Sequence, residues 1–130
     1  MPISYRVDAD RGVVFTTWDG DVTIDDQVQH WRRLLADPAA LAARRSIVDV
    51  RAGRPLFTGA EMRTALHDVA MPKLRTHPWI TAIVVGNAVQ FGVSRQFEMI
   101  ASQVTSGSVF EDPDEALAWV MAQNSSTDGG

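Results

Sequence analysis

Alternation opens the chain. Ile3, Tyr5 and Val7 are apolar where Ser4, Arg6 and Asp8 are polar, the two-residue period of a half-buried strand. Asp10-Arg11-Gly12 predicts a turn, and Val13 to Trp18, rich in β-branched and aromatic residues, predicts the returning strand of an antiparallel hairpin. Asp19-Gly20-Asp21 is expected to break that strand. Thr23, with Asp26 three residues on, approximates a capping box. Ile24, Val28, Trp31 and Leu35, with Leu34 beside them, then mark one helix face to about Ala36. Asp37-Pro38 stops that helix or restarts a short turn through Leu41.

The pattern then alternates between short apolar runs and helical periods. Ser46 to Val50 reads as a central strand, Arg51 to Phe57 as a loop, and Gly59 to about Met71 as a helix. Met62, Ala65, Leu66, Val69 and Ala70 form its apolar side, and Pro72 predicts a kink or stop. Ile80 to Val85 is the most apolar run, expected at the sheet's centre and closed by Gly86-Asn87. A helix from about Val89 to Thr105 would bury Val93, Phe97, Ile100, Ala101 and Val104, and Ser108 to Phe110 would be the last strand. Asp112-Pro113-Asp114-Glu115 is a strong helix start, with Ala116, Leu117, Trp119 and Val120 as the buried face that follows. The order β-β-α-β-α-β-α-β-α predicts an α/β fold: a mixed, mostly parallel sheet of about five strands with an N-terminal antiparallel hairpin, covered by about four helices. It reads as a single domain over residues 1–123, with a flexible C-terminal tail over 124–130 that is polar and rich in Ser and Gly.

Composition narrows the function classes. A formal net charge of −4 disfavours nucleic acid or an anionic membrane surface as partner. Without cysteine there is no disulfide framework and no thiolate chemistry, which fits a reducing compartment. No apolar run approaches the roughly 18 residues of a membrane span, and no basic-then-apolar leader opens the chain. A cytoplasmic location is the expectation.

The ordered motifs then support a resemblance. They are Asp19-Gly20-Asp21-Val22-Thr23 after the hairpin, Ile47-Val48-Asp49-Val50-Arg51, and Ile83-Val84-Val85 with Phe91-Gly92-Val93-Ser94-Arg95. Val109-Phe110-Glu111-Asp112 leading to Glu115-Ala116-Leu117-Ala118-Trp119 completes the set. Over nearly its whole length the chain resembles the STAS-like, or SpoIIAA-like, superfamily of anti-sigma-factor-antagonist type, which is related to the lipid-binding CRAL-TRIO module. It is most similar to an uncharacterised bacterial branch. The antagonists carry a phosphorylatable Ser after an Asp at the start of the helix that follows the second motif. Here the corresponding stretch is Leu56-Phe57-Thr58-Gly59, in which the hydroxyl and the Gly are kept and Phe57 replaces the Asp.

Candidate sites follow from these residues. A phosphate on Thr58 beside Gly59 would meet free N–H groups at a helix start, with Arg51 and Arg54 near enough in sequence to pair with it. The competing reading makes Thr58 a simple cap completed by Glu61. Phe91, Gly92 and Arg95 form a second candidate for ligand or interface contact, because a Gly in a helix's first turns can mark close backbone approach. Trp18, before a turn, is a candidate exposed interface anchor. Asp19, Asp21, Asp25 and Asp26 match no calcium loop and are accounted for as turn and cap residues. His30, His67 and His77 lie on three different elements with no zinc spacing. No nucleophile elbow, phosphate loop or dinucleotide fingerprint is present, so no catalytic residue, metal or cofactor is assigned.

The reading that results is a non-enzymatic, regulatory protein-interaction module, with a protein partner or a second copy of itself in a homodimer. The alternative is a carrier of a small apolar or lipid-like ligand, held between helices and sheet near Met62, Leu66 and Phe97. A weaker alternative is a small enzyme using Arg95 with a carboxylate such as Asp49.

Overall fold

Residues 2–123 are described by a computed structural model, and the tail expected over 124–130 lies outside them. The alternating segment forms β1 (Ile3–Asp8), antiparallel to β2 (Val13–Val22) in a register that sets Tyr5 opposite Thr16 and Val7 opposite Val14. Gly12 takes φ +67° in the turn between them. Then come α1 (Ile24–Leu34), α2 (Pro38–Ala43) and β3 (Arg45–Pro55). Next are α3 (Gly59–Ala65), a π-helical turn over Leu66–Ala70, α4 (Met71–Leu74) and β4 (Trp79–Val84). The chain closes with α5 (Ala88–Ala101), β5 (Thr105–Phe110) and α6 (Pro113–Ala122). The five strands form one sheet in the order β1-β2-β3-β4-β5, parallel throughout except for the hairpin.

Two strands run further than their sequence pattern predicts. Asp19-Gly20-Asp21 does not break β2, and Arg51 to Pro55 is not a loop. The two stretches pair with each other, Asp19 with Ala52, Gly20 with Gly53, Asp21 with Arg54 and Val22 with Pro55, beyond a register shift between Thr17 and Asp19. Three interactions hold this extension. Gly20 adopts φ +82°, Arg54 grips Asp21 through two bonds of 2.9 and 3.2 Å, and Gly53 lets Trp18 lie against bare backbone. A Cβ on Gly53 would come 2.6 Å from Trp18 Cβ. From above, the buried Gln90 of α5 donates to the carbonyls of Val50 and Gly53 at 2.7 and 2.8 Å, while its Oε1 accepts from Gly86 N–H at 2.7 Å. One side chain thereby satisfies three backbone groups of the strand ends.

Pro72 neither stops nor sharply breaks its helix. Having no N–H, and with a ring that would clash one turn back, it is accommodated by widening the preceding turn: Met71 N–H bonds to Leu66 O, five residues away. Helix α5 ends at Ala101, earlier than its apolar spacing predicts, because Val104 and Thr105 are drawn into a turn and into β5 pairing, Thr105 lying opposite Trp79. The sheet's centre is β3. Although β4 is second from the edge, all six of its residues are buried, because helices cover both of its faces.

The two faces are covered differently. On one, α6 alone packs Ala116 and Val120 onto Val13, Ile47, Ala82 and Val84, with Phe110 and Trp119 closing the rim. On the other, α1, α3, α4 and α5 lie over Val14, Trp79 and Val104. The second face carries the cavity described below.

Gly53 of β3 and Gly92 of α5 have opposite roles, and their substitution separates them. Gly53→Ala is expected to lower the unfolding free energy by about 1–3 kcal/mol, the ordinary cost of overpacking a rigid neighbour. Gly92, exposed on α5 with nothing within 4 Å of a built Cβ, marks no close approach. Its change to Ala is expected to raise stability by about 0.5–1 kcal/mol through helix propensity alone. Urea unfolding of the two variants checks both signs.

Candidate functional site: a polar-floored cavity beneath the helices

Between the sheet and the α1, α3 and α5 layer lies a cavity of about 100 Å³. Its floor consists of the inward positions of four strands: Thr16 and Trp18 of β2, Ser46, Val48 and Val50 of β3, Trp79, Thr81 and Ile83 of β4, and Thr105 of β5. Met62, Leu66 and Phe97, the residues expected beside a carried apolar ligand, are in its wall, and Leu66 and Ala70 come from the π turn. Val48, Phe57, Val93 and Phe97 are only half-buried, although their neighbours are core residues.

Polar side chains in a core are costly unless paired, so their distribution is informative. Among the described residues, the buried polar side chains are Thr16, His30, Ser46, Thr81, Gln90, Ser94 and Thr105, and every one lines this cavity. Some are paired within the protein: Ser46 Oγ donates to Thr81 Oγ1 at 3.3 Å, Thr105 Oγ1 donates to Ala101 O at 3.2 Å, and Gln90 clamps β3. Among the described residues, four buried side-chain atoms have no protein partner: Thr16 Oγ1, Gln27 Oε1, His30 Nδ1 and Trp79 Nε1. All four belong to cavity-lining residues.

His30 is held neutral. Burial, reinforced by the nearby Arg33 guanidinium, pushes its pKa down to about 4. Tyr5 stands edge-on to its ring at 5.8 Å and donates its hydroxyl to Asp37 at 2.7 Å. Desolvation, together with that bond, pushes the Tyr5 phenol up to about 12.

The residues singled out from sequence are dispersed. Thr58 caps α3: its Oγ1 accepts from Glu61 N–H at 3.0 Å and Glu61 Oε1 accepts from Thr58 N–H at 2.8 Å. Arg51 is engaged by Asp49 at 2.7 Å and Arg54 by Asp21. Gly59 faces the Gln96 side-chain amide. Arg95 pairs with Glu98 on its own helix at 3.1 Å, and Asp49 alternates toward the α6 side of the sheet, so the structure does not bring Arg95 and Asp49 together. Phe91 is 49% exposed. Trp18 is buried at 7% exposure instead of forming an exposed anchor, because the Gly53 gap admits its ring against Phe57, 6.2 Å away.

The cavity's strand hydroxyls have a signal in the sequence. Thr16 between Val14 and Trp18, and Thr81 inside the run Ile80 to Val85, place hydroxyls at inward strand positions where an aliphatic side chain is the norm.

This architecture is the SpoIIAA-like fold. It superimposes on the crystal structure of an uncharacterized protein from the DUF3478 family, with a SpoIIAA-like fold, from Shewanella loihica PV-4. The TM-score is 0.64 at 17% sequence identity, covering 91% of this chain and 93% of that one. No protein-family model and no curated protein matches the sequence. Among the described residues, no helix is long and apolar enough to cross a membrane.

Two outcomes follow from the unpaired atoms. Thr16→Val removes a buried hydroxyl that lacks a protein partner and keeps its shape, so thermal unfolding is expected to show a gain of about 1 kcal/mol. For His30 the folded pKa lies below the unfolded value of 6.5. Its contribution is complete above pH 6.5 and is lost as pH falls toward 4, because only the unfolded chain takes up the proton there. The loss is on the order of 3 kcal/mol. Asp37 and Asp49, both held below their usual 3.8, act only at lower pH. The urea midpoint of the wild type should therefore fall between pH 6.5 and 4, and that of His30→Leu should stay flat over the same window.

Proposed function

We propose that this chain is a binding module for a small, mainly apolar molecule held between the sheet and the helices. One observation carries the reading: every buried polar side chain among the described residues lines a single cavity, and four of their neighbouring or own polar atoms lack any protein partner. A core selected for stability alone would place aliphatic groups at Thr16 and Thr81. A site that must orient a guest needs a largely apolar wall with a few fixed hydrogen-bonding groups, the composition found here. The resemblance to the CRAL-TRIO module points the same way at the level of fold.

A partner-binding role is the second reading. It draws on the exposed apolar side chains Val89, Phe91 and Met99 of α5, at 65%, 49% and 70% accessibility.

Native mass spectrometry of the protein produced in its own host tests the first reading. The wild type is expected to carry a non-covalent small-molecule adduct. Ala70→Leu, which grows into the cavity from the π turn, is expected to lose that adduct while keeping its circular dichroism and an equal or higher melting temperature. Repeated absence of any adduct on the wild type would count against the ligand-binding role.

A further inference from the structure

The chemistry of the cavity wall limits the guest further, on the premise that the cavity is a binding site. No Asp, Glu, Lys or Arg is among the residues that line it. A buried carboxylate, phosphate or ammonium would need an opposite charge or several strong donors or acceptors aimed at it, and without them its desolvation is prohibitive. Helix N-termini are the usual substitute for a cation. Those of α1, α3 and α5 are already closed by their own caps, Thr23 with Asp26, Thr58 with Glu61, and Asn87 accepting from Gln90 N–H, while α4 continues directly from the π turn. Two of the three hold a carboxylate, which repels an anion.

The polar atoms without partners also have a layout. Gln27 and His30, three residues apart on α1, share one helix face, and Thr16 lies on the cavity side of β2. Trp79 is remote from them: Thr16 is level with Ile83 through Val48, so Trp79 lies four residues back along β4 and two strands across. That is about 13 Å along the strands and about 10 Å across them. The atoms without partners thus gather at one end under α1, with a lone indole N–H at the far end. Between them the floor carries Ser46 and Thr81, whose hydroxyls bond each other, and the wall includes the apolar Met62, Leu66 and Phe97. A volume of about 100 Å³ holds roughly seven to ten atom-sized groups.

We infer that the guest is an uncharged, slender molecule of medium chain length, whose hydroxyl, carbonyl or amide group hydrogen-bonds at Thr16, Gln27 and His30 while its apolar body runs beneath α3. Both donors and acceptors are available at that end. The Thr16 hydroxyl can donate or accept a hydrogen bond, Gln27 Oε1 accepts, and the neutral His30 ring offers either role according to tautomer.

A matched series tests the charge requirement, with the fluorescence of Trp18, Trp31 and Trp79 in the cavity wall as the readout. Octanamide, octanoate and octylammonium share length and differ in charge. At pH 7 octanamide is expected to bind saturably, and the two ions at least tenfold more weakly. Octanoate or octylammonium binding as tightly as octanamide would overturn the inference and leave the binding role intact. If octanamide, the two ions and butylbenzene all fail to bind, the binding role itself falls. Thr16→Val checks the docking point: it should weaken octanamide at least fivefold and leave butylbenzene unchanged. An equal loss for both compounds would show that the head group does not dock there.

Discussion

A parallel sheet has to be covered on both faces, and this molecule meets that requirement with unequal means. Strands β3 and β4 lie inside the sheet and would expose a broad apolar surface if either face were left open. On the α6 side, one amphipathic helix is enough, because small and branched side chains (Val13, Ile47, Ala82, Val84, Ala116 and Val120) interdigitate with little left over. On the opposite side, several helical segments must cover a twisted surface that carries hydroxyls at Thr16, Ser46 and Thr81. Large aromatic and aliphatic groups hold the helices off that floor, and the polar positions leave the cavity.

The same asymmetry connects stability with use. Among the described residues the α6 side holds no buried polar side chain, whereas the cavity side keeps four buried atoms without protein partners and a histidine whose burial disfavours its charged form. Each is a local cost to stability and, in the binding role proposed above, a contact for a guest. The π turn belongs to this arrangement. Pro72 forces it, and its wider radius presents Leu66 and Ala70 to the cavity from the helix that spans the middle of the site. Proline chemistry thereby shapes the roof as the strand hydroxyls shape the floor.

At the carboxyl ends of β2 and β3 several devices hold four further residue pairs. Trp18 packs on Gly53, Arg54 holds Asp21, and Gln90 ties the strand carbonyls to α5. These bring Trp18 and Phe57 together at one end of the cavity. The arginines that look in sequence like loop residues poised for an anion are therefore ladder residues with carboxylate partners. The Thr58 hydroxyl is likewise used locally, in a capping box with Glu61.

Local chemistry was legible in the chain. The hairpin came from strict alternation and Gly12, the helix starts from Thr23, Thr58 and Asp112, and the α/β order from the change between periods of two and 3.6. Each of these depends on residues a few positions apart. What lay beyond reach depends on residues brought together across the fold. The extension of β2 needed Gly53, more than thirty positions from Trp18, and the burial of Gln90 needed carbonyls near residue 50. The cavity needed β2, β4 and α1 assembled before Thr16, Trp79 and His30 could line one space. A threonine in a strand reads the same in sequence whether it faces water, a helix or a void. Only packing decides which, because hydrogen-bond satisfaction and cavity volume are properties of the neighbours and not of the residue.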